Sequence, residues 1–204
     1  IVKPESLNRS LSRSVRQLLP EEREGLTLAV DGKTVRSTDG KKGYQQPLHI
    51  ISAQLSELGV TLASKSVDGK SNEIPAVQEM LQQMDIKGCL VVADALNCQR
   101  ETAKVIVSSK GDYLLSVKEN QPSLMQDIRD YVQDEALRGG MSAQSIREKS
   151  RERIEKRTAF VTQDIDWLPQ KAQWDHLACI GAIHTEFQTK AGKNSQWHYY
   201  ISSR

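Results

Sequence analysis

Residues 25–33 read G-L-T-L-A-V-D-G-K, and residues 89–94 read C-L-V-V-A-D. Each stretch is an apolar run of strand length that ends on an aspartate, Asp31 in the first and Asp94 in the second. The second run is unbroken, which is typical of a strand covered on both faces of a parallel sheet. Sites in open α/β sheets form beyond the carboxyl ends of strands, so two neighbouring strands of this kind would bring both carboxylates to one edge.

The segments around these two runs predict three strands followed by alternating helices and strands. In order they are strands 25–33, 48–56 and 60–67, a helix with Pro75 in its first turn, strand 89–94, helix 100–110, strand 112–118 and a helix that begins at Pro122. This is the chain order of the ribonuclease H-like fold, an α/β fold with a mixed sheet flanked by helices.

The two ends of the chain differ from this middle part. Leu7, Leu11, Val15 and Leu18 recur at spacings of three and four, which predicts an amphipathic helix over residues 5–19. Residues 138–145 contain Gly139 and Gly140 and predict a loop, and the remainder is strand-like. We therefore predict an N-terminal helix and linker at 1–24, a ribonuclease H-like core at 25–137 and a β-rich insertion at 138–204.

Composition excludes several classes of protein. No apolar run approaches the roughly 20 residues that span a bilayer, and the polar start does not look like a signal peptide. The three cysteines have irregular spacing, which predicts reduced thiols in a cytoplasmic protein without a membrane partner. The chain contains no phosphate-binding G-x-x-x-x-G-K-[ST] loop, no nucleophile elbow and no H-E-x-x-H helix.

Two carboxylates at one sheet edge repel each other, and a divalent cation relieves that repulsion. Oxygen ligands of this kind suit Mg²⁺ or Mn²⁺. A pair of such ions can activate a water or a 3′-hydroxyl and stabilise the leaving oxygen of a phosphodiester. The simpler alternative is that each aspartate caps a turn, since Asp31–Gly32 is an ordinary turn dipeptide.

Five blocks of sequence, in order, resemble the H-repeat-associated group of insertion-sequence DDE transposases. They are A-V-D-G-K-T-V-R, L-H-I-I-S-A, K-S-N-E-I, I-K-G-C-L-V-V-A-D-A-L-N-C-Q and G-D-Y-L-L-S-V-K-E-N-Q, between about residue 27 and residue 121. The resemblance implies a bacterial transposase that uses divalent metal to cleave DNA at transposon ends and transfer the strands. It places the first catalytic aspartate at Asp31 and the second at Asp94.

The third catalytic acid of the family has no counterpart in its usual sequence pattern here. In related transposases it is a glutamate on a helix that follows the β-rich insertion, within an H-W-x-I-E-N-like pattern. The sequence stops at Y-Y-I-S-S-R, where such a helix would begin, so we expect this helix to be absent. Glu155, in R-E-R-I-E-K-R, is the candidate that remains; the alternative is that it has a solvated or structural role.

Basic residues near the predicted site are candidates for DNA contact. Lys33 and Arg36 closely follow the first aspartate, and Lys118 ends a strand at the same predicted edge. Residues 146–157 hold six basic and three acidic side chains, and Arg151, Arg153 and Arg157 are the candidates there. Exposed loop cations and a salt-bridged surface are the alternatives. We predict helix capping for the 71–73 block and a packed position for His49.

Three hypotheses of function follow. The first is a transposase core that acts as a homodimer on transposon ends and target DNA. The second is a truncated, catalytically inactive remnant that at most binds DNA. The third is a ribonuclease H-like nuclease for repair or RNA, against which the β-rich C-terminal part argues.

Overall fold

The computed structural model describes residues 24–35, 48–67, 73–150, 153–189 and 192–204. The chain divides into two compact units, residues 1–113 and 114–204. The helix predicted at 5–19 lies outside the described residues, and the functional domain boundaries predicted from the sequence remain a prediction. None of the helices in the described ranges is long and apolar enough to span a membrane.

The first unit is built on a mixed sheet with the strand order β3-β2-β1-β4. Its strands are β1 (Thr27–Val35), β2 (Leu48–Leu55), β3 (Val60–Val67) and β4 (Leu90–Ala93). The first three pair antiparallel in sequence order, whereas β4 lies parallel to β1. The predicted mixed α/β class is confirmed, and the first and fourth strands are neighbours.

Helices α1 (Glu73–Gln82) and α2 (Arg100–Ser108) complete the first unit and contact each other. Alternate residues of β1 and β2 are buried, as a sheet with one face against a core requires. The fully buried side chains include Leu28, Ile51, Leu55, Val77, Leu81 and Ile106. Each side chain of this size contributes about 1.5–3 kcal/mol when it leaves water.

Strand β1 runs further than the sequence predicted. Residues 33–35 continue the antiparallel ladder, with Lys33 opposite Ile50 and Thr34 opposite His49. The predicted strand ended at residue 33, whereas the observed strand continues to Val35, because pairing with β2 satisfies the backbone of this polar segment. Gly32 lies inside the strand opposite Ile51 rather than in a turn.

The second unit is an antiparallel sheet with two helices. Its strand order is β5-β9-β8-β7-β6, and β5 crosses the boundary between the units. The elements are β5 (Asp112–Val117), α3 (Pro122–Gln133), α4 (Glu135–Gly139), β6 (Ser142–Ser150), β7 (Arg153–Thr162), β8 (Cys179–Thr189) and β9 (Gly192–Ser202). The β-rich character predicted for this part of the chain is confirmed.

The prediction of a loop over residues 138–145 is wrong. Helix α4 ends at Gly139 and strand β6 begins at Ser142. The Asp134 carboxylate caps α4 by accepting from the N–H groups of Ala136 and Leu137, at 2.9 and 3.1 Å. The two glycines suggested a loop, but a side-chain cap and the pairing of β6 with β7 outweigh their conformational freedom.

Candidate active site

The parallel pairing of β1 with β4 places Asp31 and Asp94 at equivalent positions. The last paired residues are Val30 and Ala93, and each aspartate is the next residue along its strand. Neighbouring strands lie about 4.8 Å apart, and residues two apart share a face. Asp31 therefore shares a face with Ala29, and Asp94, with φ −71° and ψ 177°, continues in extended form from Val92, the partner of Ala29.

The two carboxylates have different surroundings, although both residues are exposed. Asp94 caps the short 3₁₀ helix Ala95–Asn97, and its Oδ1 accepts from the backbone N–H of Asn97 at 3.3 Å and from the Asn97 Nδ2 at 3.2 Å. Within the described ranges, neither Asp94 Oδ2 nor the Asp31 carboxylate accepts a hydrogen bond or forms an ion pair. These oxygens are accessible acceptors on one sheet edge.

Beside this edge lies a buried carboxylate, that of Glu73, the first residue of α1. Glu73 is 3% exposed, and both of its oxygens accept hydrogen bonds. Asn97 Nδ2 donates to Oε1 at 3.2 Å, and His49 Nε2 lies 2.6 Å from Oε2. A buried carboxylate without such donors would be costly, so these two contacts allow Glu73 to occupy this position.

His49 extends the network to β1. A carboxylate only accepts, so the Nε2 that faces Glu73 carries the hydrogen. The other ring nitrogen, Nδ1, lies 3.0 Å from the hydroxyl of Thr34. His49 is 2% exposed, as a packed residue should be, and the prediction of a packed histidine is confirmed. Its hydrogen bonds hold β1, β2 and α1 together.

Gly32 leaves the space that the Glu73 carboxylate fills. A Cβ atom at position 32 would lie 2.7 Å from Glu73 Cδ and from both carboxylate oxygens. Real Cβ atoms do not approach heavy atoms this closely, so a larger residue at position 32 would force the Glu73 carboxylate away from its present position. Gly32 faces the side of the sheet opposite to Asp31, because successive strand residues alternate.

Cys98 lies next to this network and is fully buried. Burial, with a smaller contribution from the negative charge of Asp94, raises the pKa of the Cys98 thiol to about 12. The residue is therefore a neutral thiol at physiological pH. Each of the three cysteines is buried and free of disulfides, as the sequence predicts for reduced thiols.

A family model described as the transposase DDE domain matches residues 22–196, which include both aspartates. This chain belongs to the DDE transposase family. The YhhI protein of Escherichia coli K12, whose name assigns it to the H repeat-associated transposases, is 32% identical over 182 residues. The resemblance to this group is therefore confirmed.

The matched relatives are longer than this transposase chain. The alignment with YhhI covers 86% of this chain and 48% of YhhI. A protein encoded in the dhlA 3′ region of Xanthobacter autotrophicus is 35% identical over 177 residues, covering 86% of this chain and 59% of that protein. The chain thus spans about half the length of the curated relatives it matches.

One solved structure is a further match to the transposase chain. It is the piggyBac transposase synaptic complex with hairpin DNA, at a TM-score of 0.44 and 11% identity. The match covers 89% of this chain and 34% of that one.

The other predicted site residues lie in several places. Lys33 is exposed on β1, two residues beyond Asp31, and Lys118 is exposed after β5. Arg157 and Glu155 are on β7 in the second unit, where they form an ion pair. Arg157 also contacts Glu148 at 3.2 Å. Arg36 and Arg151 lie outside the described residues, and Arg153 is described only as the first residue of β7.

Sequence reasoning did not identify the roles of Glu73 and Asn97 in the transposase chain. Glu73 was grouped with possible capping residues, whereas its side chain is buried against Gly32. The feature of the sequence that could have pointed to both residues is their position in the blocks K-S-N-E-I and A-D-A-L-N-C-Q, which resemble the family. Neither block shows which side chains meet, because the hydrogen-bond partners of Glu73 are 24 residues away in each direction.

Proposed function

We propose that this chain forms part of the catalytic core of a transposase that cleaves DNA strands at transposon ends and transfers them to target DNA. The observation that carries the proposal is the equivalent placement of Asp31 and Asp94 on the parallel strands β1 and β4. Membership of the DDE transposase family supports it. The two aspartates would supply the first two acids of the active site.

The donor chemistry of this edge fits a divalent cation. Asp31 and Asp94 provide hard carboxylate oxygens, the ligands that Mg²⁺ and Mn²⁺ prefer. Among the described residues no group of three or more His, Cys, Asp or Glu is arranged to hold a metal ion, so these two aspartates would form only part of the ligand set. Two bound ions would activate the attacking water or 3′-hydroxyl and stabilise the leaving oxygen.

The chain's own residues would orient the acids and the DNA. The hydrogen bonds from Asn97 hold Oδ1 of Asp94 and leave Oδ2 available. Lys33 shares the face of Asp31 by strand alternation, where it would pair with a phosphate of the bound strand. The role of Glu155 as third acid stays a prediction, and its ion pair with Arg157 supports the alternative, structural role.

The basic residues of the second unit would bind the DNA backbone. Arg147, Lys156 and Lys193 contribute to a pocket of about 830 Å³ on strands β6–β9. With Arg151, Arg153 and Arg157 they would neutralise phosphates and release counterions, so binding would weaken as salt rises. Lys118 and Arg36 would also contact the phosphates of the DNA backbone. The working assembly would be a homodimer on DNA in the cytoplasm of a bacterial cell.

The test is nicking, in Mn²⁺, of DNA that carries the ends of the element. Wild-type chain should nick this DNA, and Asp94→Asn should lose the activity because its amide cannot replace a metal-binding carboxylate. Asp166→Asn is the matched control, since Asp166 is an exposed residue that pairs with Lys171 in the second unit. Nicking that survives in Asp94→Asn would refute the site assignment. DNA binding without nicking by the wild-type chain would favour an inactive remnant.

A further inference from the structure

Three polar side chains of the first unit are buried together next to the candidate site. His49, Glu73 and Asn97 are 2%, 3% and 1% exposed. They come from β2, from the first turn of α1 and from the 3₁₀ helix after β4. Burying polar groups is costly unless they are hydrogen-bonded, and Glu73 is the shared partner of His49 and Asn97.

The Asn97 amide connects this buried cluster to the exposed aspartate. Its Nδ2 donates to Oε1 of Glu73 and to Oδ1 of Asp94, both at 3.2 Å. An amide nitrogen carries two hydrogens, so one can point to each carboxylate. This double contact fixes the orientation of the Asn97 side chain and, through it, the rotation of the Asp94 carboxylate.

We propose that Glu73 is a positioning residue that orients the metal-binding carboxylate of Asp94 through Asn97. The inference rests on the proposed function, in which Asp94 holds a divalent cation. His49 holds the other oxygen of Glu73 and thereby fixes the carboxylate from the side of β2. Groups that contact metal ligands typically change metal affinity by about 10–100-fold when they are removed.

Glu73 does not have the position of a metal ligand itself. Each of its oxygens already accepts a hydrogen bond, and its carboxylate lies against Gly32, on the face of β1 opposite to Asp31. A purely structural role also explains the geometry poorly. Well-packed apolar residues often stabilise a core as well as a buried polar group does, but an apolar residue at position 73 could not accept from the Asn97 amide that donates to Asp94.

Mn²⁺ binding by the 204-residue chain, measured by electron paramagnetic resonance without DNA, tests the inference. Glu73→Gln keeps the shape of the side chain but directs an NH₂ group at one of the two donors, Asn97 or His49. Asn97→Ala removes the amide link and retains the backbone hydrogen bond to Asp94. The matched control is Glu79→Gln, because Glu79 is an exposed glutamate of α1 that pairs with Lys65.

We expect Glu73→Gln and Asn97→Ala to raise the Kd for Mn²⁺ about 10-fold or more, while circular dichroism remains that of the folded wild type. Glu79→Gln should bind Mn²⁺ as the wild type does. A structural role alone would lower the melting temperature of folded variants without changing this Kd. Folded variants with the wild-type Kd for Mn²⁺ would overturn the inference. If Glu73→Gln does not fold, the Kd of Asn97→Ala alone tests it.

The same measurement separates this inference from the proposed function. Asp94→Asn should abolish the Mn²⁺ binding of the chain. If Asp94→Asn and the wild type bind equally, or if the wild type does not bind, the proposed metal site fails and the inference fails with it. If Asp94→Asn loses binding while the Glu73 and Asn97 variants retain it, the metal site stands and only the positioning role is refuted.

Discussion

Glu73, beside the end of the β1–β4 pair, and Arg157, on the β6–β7 hairpin, are both ionisable residues with polar partners. Glu73 is buried, whereas Arg157 is partly exposed. Glu73 in the first unit is buried and bonded to His49 and Asn97. Arg157 in the second unit has a side chain that is 45% exposed and pairs with neighbours on its own hairpin. The described charges of the 146–157 run that contact Arg157 thus pair within one hairpin, whereas Glu73 is buried beside the candidate site.

Buried and exposed contacts differ in how much free energy is lost when one partner is removed. Removing a hydrogen-bond donor from a buried carboxylate leaves an oxygen in a medium that solvates it poorly, which costs about 3–5 kcal/mol. Exposed ion pairs are solvated in either state and contribute about 0–1 kcal/mol. Substitutions should therefore have large effects around Glu73 and small effects on the hairpin.

The largest effect is expected for His49→Leu, which leaves Oε2 of Glu73 without its donor. The free energy of urea unfolding should fall by about 3–5 kcal/mol. His184→Leu is the control in the second unit, where His184 stacks on Trp197 with ring centroids 4.2 Å apart. That variant should lose only about 0.5–1.5 kcal/mol. Equal losses in the two variants would remove the contrast between the two regions.

Alkylation of Cys98 by iodoacetamide should be slower in the folded than in the unfolded chain by roughly 500-fold near pH 9, because the thiolate is the reactive form. Its pKa is raised to about 12 from an ordinary value of 9.0. The folded rate should therefore keep rising with pH up to about 12, whereas the unfolded rate should level off above 9.0.

Cys179 in the second unit provides the comparison for Cys98. Burial also raises its pKa, but a hydrogen bond with Ser202 acts in the opposite direction. Mass spectrometry after alkylation should find Cys179 modified before Cys98. The reverse order would show that burial and the Asp94 charge do not suppress the Cys98 thiolate more strongly than burial suppresses that of Cys179.

Gly32→Ala should destabilise the first unit by about 1–3 kcal/mol, the usual cost of overpacking. The added methyl group would meet the Glu73 carboxylate at 2.7 Å. Gly139→Ala is the matched control at the end of α4, where nothing lies within 4 Å of an added Cβ atom. Thermal unfolding should leave this control within about 0.5 kcal/mol of the wild type. A neutral Gly32→Ala would contradict the close approach of Glu73.

The smallest effect is expected for Arg157→Gln. It removes the contacts with Glu148 and Glu155 on the same hairpin; the Glu155 side chain is only 14% exposed, but that of Arg157 is 45% exposed and therefore solvated. The free energy of unfolding should change by less than about 1 kcal/mol, and less in high salt. A loss above 2 kcal/mol, roughly twice the range of exposed pairs, would mean that the hairpin depends on this cluster for its stability.

Much of the first unit follows from local patterns in the sequence. The apolar runs that end on Asp31 and Asp94 form β1 and β4, and the alternating segments form β2 and β3. These patterns are informative because a strand buries every second residue, or nearly all of them when both faces are covered. The extension of β1 to Val35 was missed, since its polar residues are paired by β2 rather than selected by burial.

The sequence alone determined the element order of the first unit, the two aspartates at strand ends and the family to which the chain belongs. Only the tertiary structure decided that β1 and β4 are neighbours and that Glu73 meets Gly32, His49 and Asn97. The physical reason is the separation along the chain of the residues that interact. Strand and helix patterns arise between residues a few positions apart, whereas this buried network joins side chains 24 positions apart that become neighbours only when α1 packs against the sheet.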